Sequence, residues 1–308
     1  MPRLTLRHPI CTLDNQSLFP PDTLLTEETL DAFIDSHRAY SYQTYPLLLY
    51  GSVKEDCLNF LSTPPYVTFS LEQKEINDLL NLLETVHLPI PLLQSLDYFK
   101  QHDFYTYAHS LMVFVLSILL TKDLIPDYQE CIQLSATGPT HDIGKICVPL
   151  HILKKATPLT KTERGFIEHH AAAGYVLLSY YHKDIQPLAC EVALDHHERR
   201  DGSGYPRGIQ LKHPLVEIIT VSDIYDALII PRPYRSTAYD NRAALEEITA
   251  MAEQNKIGWD VVKALIAHNR KSKFHYQEIK ISVEKRGTPP PDNVYGMIAE
   301  EEKKDPKD

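Results

Sequence analysis

Two short stretches hold most of the residues that could do chemistry. The first, "THDIGKICVP", sets His141 beside Asp142 and follows them with Gly144 and Lys145. The second, "DHHERRDGSGYPRG", runs from Asp195 to Gly208 and puts His196, His197, three acids and three glycines into fourteen residues. Imidazole nitrogens and a carboxylate able to bridge are the donors that borderline divalent metals such as Fe, Mn or Zn prefer. Adjacent residues on a regular helix point about 100° apart. His141 and Asp142 can therefore share an ion only near a helix end or break, and Gly144 and Pro149 supply that irregularity.

Further donors lie at intervals along the same region. His109 sits inside the apolar run "YAHSLMVFVL", where an imidazole is costly to bury unless partnered. His169 and His170 precede "AAAGY", whose small residues let another helix approach closely, and Asp223 stands in "VSDIYDAL", an acid on an otherwise apolar helix. Of the fifteen histidines, ten fall between His102 and His213, which marks the middle of the chain as its chemical part. Taken singly, each has a bland explanation, a lone histidine on an apolar face being more often a satisfied core residue. Together they are potential ligands on separate helical segments roughly thirty residues apart, and a bundle brings such faces together in its core.

The ordered series HS, "HDIGK", HxxxG, "HHERRDGSGYPRG", "SDIYDAL" and "RPYR" resembles the HD-GYP family of cyclic-dinucleotide phosphodiesterases, over residues 95 to 275. HD alone is unspecific; HHExxDGxGYP downstream of it is highly specific. The resemblance implies a bundle of about seven helices around a di-metal centre of iron, with manganese as the alternative. It assigns His109, His141, Asp142 and Asp223 to one ion, and it has Asp142 bridge to a second held by His170, His196 and His197. Gly174, at the expected distance, selects His170 over His169. A water or hydroxide between the ions would be the nucleophile. Three-metal members have a glutamate one turn before the first histidine; here that place is Tyr105, so two ions are expected.

The resemblance implies cyclic di-GMP as substrate, hydrolysed to pGpG, with slower conversion on to GMP as the alternative end point. Lys145, an i,i+3 neighbour of Asp142, can reach a phosphate at the metals. Arg232 and Arg235 in "PRPYRS" are candidates for the second phosphate or a guanine edge, and Tyr205 for contact with ligand or a partner. Glu198 is expected to orient a ligand histidine. Asp201, Gly202, Gly204, Tyr205 and Pro206 form the signature loop. Pro231 and Arg200 depart from the family pattern and are the support for another reading, a cyclic-dinucleotide sensor with little turnover. A third reading keeps the chemistry on another cyclic dinucleotide, such as a mixed GMP-AMP ring. A diguanylate cyclase docked on the GYP loop is the candidate protein partner, and an oligomer is the candidate assembly.

The elements that must position these residues read as mainly α. The expected organisation is a small mixed α/β unit over 1–70 for regulation or dimerisation, a connecting helix over 71–94, the catalytic bundle over 95–275, and a mostly mobile tail over 276–308 with a short helix around Met297. Thr26 is placed as an N-cap, Ser70 opens a capping box with Gln73, and "YPLLLYGSV" and "PYVTFS" read as short strands. Helices are expected at Asp103–Lys122, Asp127–Thr137, Lys161–Tyr181, Gln186–His196, Leu215–Leu228, Arg242–Glu253 and Gly258–Arg270. The longest apolar run, Leu111–Leu120, is half a membrane span and reads as a buried helix. Five widely spaced cysteines without CxxC suggest reduced thiols, and a cytoplasmic protein is expected. A net charge of −10 argues against DNA as a partner.

Overall fold

The computed structural model describes residues 4–300 apart from 40, 128–129, 133–135, 186, 273, 283 and 294–296. Its centre is the helix Phe104–Leu124, apolar on every face and buried almost continuously from Thr106 to Thr121. A helix without a polar face has to be surrounded by protein. Helices Ile90–His102, Pro214–Ile229 and Trp259–His268 and the short turn Gly138–Thr140 surround it. Three of its hydroxyls are satisfied locally: Ser117 and Thr121 donate to Phe114 O and Ser117 O, and Thr106 donates to Asp103. It is the one described helix long and apolar enough to cross a membrane, and 83% of its apolar window is covered by the rest of the fold.

A second layer is built on helix Lys161–His182, which packs against Leu188–Asp195 and the turn Ile143–Cys147. Its start is a capping box: Thr160 Oγ1 accepts from Glu163 N, and the Glu163 carboxylate accepts from Thr160 N at 2.8 Å. Asn241–Glu253 completes the bundle, capped by Asp240 accepting from Ala243 N. The strands are two or three residues long and form two-stranded sheets. The fold is thus mainly α with small mixed elements at its amino-terminal end, and one hydrophobic cluster runs from Leu6 to Ile279.

Several local expectations are corrected. Thr26 does cap Glu27–Ser36, with Thr29 returning the bond. Ser70 is not an N-cap; it lies in the left-handed region, and Glu72 caps Gln73–Glu84 instead. In "YPLLLYGSV" only Tyr45 and Pro46 continue a strand, Thr44–Pro46, paired with His87–Pro89; the leucines Leu47–Leu49 turn, and Val53–Ser62 is helical. "PYVTFS" is a single helical turn, Tyr66–Phe69, because both buried rings, Tyr66 and Phe69, must face the bundle. The expected helix Asp127–Thr137 falls partly outside the described residues. Around Met297 there is a strand, Ile298–Ala299, parallel to Leu159–Thr160, where a short helix was expected. The segment leading to it is tied down by Glu246, which accepts from Arg286 N and Gly287 N.

Candidate metal centre

The seven donors arrive from breaks and inward faces. His109 comes from the central helix. His141 ends the turn Gly138–Thr140 and Asp142 opens Ile143–Cys147, so the two neighbours occupy a chain break where both can point inward. His196 caps the end of Leu188–Asp195, with His197 just beyond it, and Asp223 projects from Pro214–Ile229. His170 lies in Lys161–His182, onto which Ile143–Cys147 is pressed. A Cβ at Gly144 would stand 1.9 Å from His170 O and 2.4 Å from Gly174 N, so only glycine allows that seat.

The side chains converge as two groups, Asp142 with His170, His196 and His197, and His109 with His141 and Asp223, the donor atoms of each lying within 4.8 Å of one another. Asp142 joins them. Its Oδ1 is 3.2 Å from His170 Nε2 and 3.9 Å from His196 Nε2, while its Oδ2 is 3.5 Å from His109 Nε2 and 3.4 Å from His141 Nε2. Asp223 Oδ1 is 3.0 Å from His109 Nε2 and its Oδ2 is 4.0 Å from His197 Nδ1.

The outer ring nitrogens decide what the inner ones can do. His109 Nδ1 donates to Asp226 at 2.6 Å, His141 Nδ1 to Gly138 O at 2.6 Å, His170 Nδ1 to Ile167 O at 2.5 Å and His196 Nδ1 to Val192 O at 2.9 Å. Carboxylate and carbonyl oxygens only accept, so these rings keep their proton on Nδ1 and turn an Nε2 lone pair inward. The His170 and His196 lone pairs face each other across 3.3 Å, and His197 Nε2 lies 3.1 Å from His170 Nε2. Buried His141 Nε2 has no hydrogen-bond partner. Converging acceptors without a proton between them suit a cation. Burial, followed by the neighbouring imidazoles, pushes His196 down to about 3 and His197 well below its usual range, so both stay neutral donors. At Asp142 burial acts in the raising direction, but Lys145 and His141 outweigh it and hold the carboxyl well below its ordinary value. Burial would lower His109, yet Asp223 and Asp226 together raise it; the negative charge responsible equally favours a metal ion.

The HD domain profile matches residues 99–261, the segment that supplies all seven donors. The chain belongs to the HD domain family. With "HHERRDGSGYP" intact it is an HD domain of the HD-GYP type. It is 35% identical over 139 residues to a cyclic di-GMP phosphodiesterase of Thermotoga maritima, covering 44% of this chain and 38% of that one. A cyclic di-GMP phosphodiesterase of Pseudomonas aeruginosa is 39% identical over 166 residues, 53% of this chain and 39% of that one. A 3'3'-cGAMP-specific phosphodiesterase of Vibrio cholerae is 39% identical over 137 residues, 43% and 31% of the two chains. The HD domain chain thus spans under two fifths of the length of these relatives.

Around the centre, Lys145 Nζ stands 2.5 Å from Asp142 Oδ2. In the signature loop Tyr205 stacks on His197, the ring centroids 4.5 Å apart. Asp201 accepts from Ser203 N and Oγ in an exposed turn, and Gly202 takes φ +77°. A Cβ on Gly204 would meet His197 O at 2.3 Å; Pro206 follows Tyr205 in the same turn. Glu198 does not orient a histidine. Its carboxylate accepts from Arg207 N at 2.8 Å and Ile209 N at 3.1 Å, which pins the loop's far end. Arg235 is also corrected: it is buried and donates to Ala227, Leu228 and Ile230 carbonyls, closing the end of the Asp223 helix. Arg232 lies nearer the centre, its guanidinium 4.5 Å from the Tyr105 ring, and Tyr105 stacks on His109. Arg200 forks onto Glu217, which also accepts from Gly258 N, so its departure from the family pattern is a structural brace.

Sequence reasoning passed over Asp226, which holds His109 from behind, and over Asp195, which pairs with Arg207 beneath the loop. The signal for Asp226 was its spacing: an acid three residues after Asp223 shares that helix face.

Proposed function

We propose that this HD domain is a metal-dependent phosphodiesterase that hydrolyses cyclic di-GMP to linear pGpG, with slower conversion to GMP as a further step. The observation that carries the reading is Asp142, whose two carboxylate oxygens face two separate sets of histidines. Two ions, iron or manganese, would be held by His109, His141, Asp142 and Asp223 on one side and Asp142, His170, His196 and His197 on the other. When bound, such ions neutralise phosphate charge and make a water acidic enough to attack at neutral pH. The protein's own groups do the rest. The Nδ1 hydrogen bonds keep the rings aimed. Lys145, anchored on Asp142, offers an ammonium to the phosphate under attack, and Arg232 fixes a second positive charge behind Tyr105. Tyr205, stacked on His197, forms a flat wall at the rim that suits a purine face. Five free cysteines fit a reducing, cytoplasmic setting.

A mixed cyclic GMP-AMP ring is the second substrate reading, favoured by the 39% identity to the Vibrio cholerae relative named for it. The test is anaerobic turnover of both rings by protein of measured metal content, beside Asp142→Ala. Linear product from the metal-loaded wild type, absent in the variant, is the expected result. Metal-loaded protein that binds a ring without cleaving it would replace the enzyme by a sensor.

A further inference from the structure

Asp226 is fully buried, and its two oxygens have different owners. Oδ2 accepts from His109 Nδ1 at 2.6 Å, and Oδ1 accepts from the phenol of Tyr66, which lies 160 positions away in the chain. Among the described residues His109 is the ion-pair partner of Asp226; no lysine or arginine compensates its charge. A buried carboxylate in that position depends on both donors, and losing either leaves an oxygen unsatisfied. Tyr66 is itself buried, in the turn Tyr66–Phe69, and Phe69 packs edge-on against Tyr225, the neighbour of Asp226, at 6.0 Å. The turn therefore grips the Asp223–Asp226 segment by a ring and by a hydroxyl. Carboxylates behind ligand imidazoles set ring orientation and basicity, and such partners are commonly worth 10–100-fold in metal affinity.

We infer that Tyr66 is a positioning residue through which the amino-terminal 70 residues control metal binding at the His109, His141 and Asp223 side of the centre. The relay runs from the Tyr66 hydroxyl through the Asp226 carboxylate to the His109 ring. Displacing the Tyr66–Phe69 turn would free Asp226 Oδ1, let the carboxylate rotate and loosen the ion on that side, while among the described residues no hydrogen bond links the turn to His170, His196 or His197. This rests on the metal-centre reading above.

The test uses the whole chain, stripped of metal and titrated anaerobically with manganous ion, with the free-ion EPR signal as the readout. Tyr66→Phe, Asp226→Asn and the double variant are compared with wild type, and a thermal melt of each confirms that it folds. The expected result is that Tyr66→Phe weakens one of two manganese equivalents by about tenfold and leaves the other in place. In the Asp226→Asn background the same change should then alter affinity less than about twofold, because contributions through one shared group do not add. Unchanged affinity, equal weakening of both equivalents, or effects that multiply would each overturn the relay. Wild-type protein that takes up no manganese or iron would instead overturn the metal centre itself, a different failure with a different signature.

Discussion

Lys145 and Asp142 sit 2.5 Å apart at the point where the two donor sets meet, with the lysine side chain 13% exposed. A lysine that only balanced Asp142 could be replaced at small kinetic cost once metal ions are present. One that neutralises phosphate charge as the diester breaks cannot. Lys145→Met is accordingly expected to lower kcat by about 100-fold with metal content unchanged, measured by steady-state turnover beside elemental analysis. A loss confined to KM would reduce Lys145 to a ground-state contact. At this scale much was legible, because the donors recur in one ordered series that includes "HHERRDGSGYP", although each of them taken singly has an ordinary structural use. Glu198 and Arg235 were misread because both hold backbone, and no pattern of side chains announces which amides or carbonyls will lie beside them.

The element on which the site turns is Ile143–Cys147, five residues pressed onto helix Lys161–His182 through Gly144. Both atoms that a new Cβ would strike belong to the backbone of that helix, so neither can swing aside. Gly144→Ala should therefore lift the segment, destabilise the fold by about 3 kcal/mol or more and separate Asp142 from His170. Denaturant midpoint and metal stoichiometry would check it; a variant that keeps both would mean the segment tolerates displacement. Helices such as Glu27–Ser36 were readable from caps and apolar patterning, as at Thr26, and the central helix from its unbroken apolar run. The short segments were not. "YPLLLYGSV" and "PYVTFS" have strand-like composition, but burial of Leu47, Leu48, Tyr66 and Phe69 against helices took them into turns.

Across the whole molecule, the amino-terminal residues are bound to the bundle by polar contacts as well as by the shared core. Asp56 Oδ2 receives Lys100 at 2.6 Å, Tyr107 at 2.6 Å and Ser52 at 2.8 Å, which joins three helical segments at one oxygen. Burial pulls the Asp56 carboxyl upward, but the hydrogen bonds from Lys100, Tyr107 and Ser52 outweigh it and leave it below its ordinary value. A carboxylate shifted down stabilises the fold in full above its unfolded pKa of about 4, and that stability is lost as pH falls through the folded value. Asp56→Ala should thus cost about 2 kcal/mol at pH 7, with the gap from wild type closing as the solution is acidified below pH about 4. Melts of both proteins across pH 3–7 would show it; a gap independent of pH would assign the loss to packing alone.

By itself the sequence determined the chemistry on offer and the mainly α class. Side-chain donors such as His109, His141, Asp142, His170, His196, His197 and Asp223 are visible as residue types at intervals, and apolar periodicity tells which segments are helical. Only the tertiary structure decided which oxygen of Asp142 faces which set of rings, and that Asp226 and Tyr66 stand behind His109. Those relations join residues up to 160 positions apart in the chain. They are settled by the packing of whole helices, which local sequence does not encode in any short pattern.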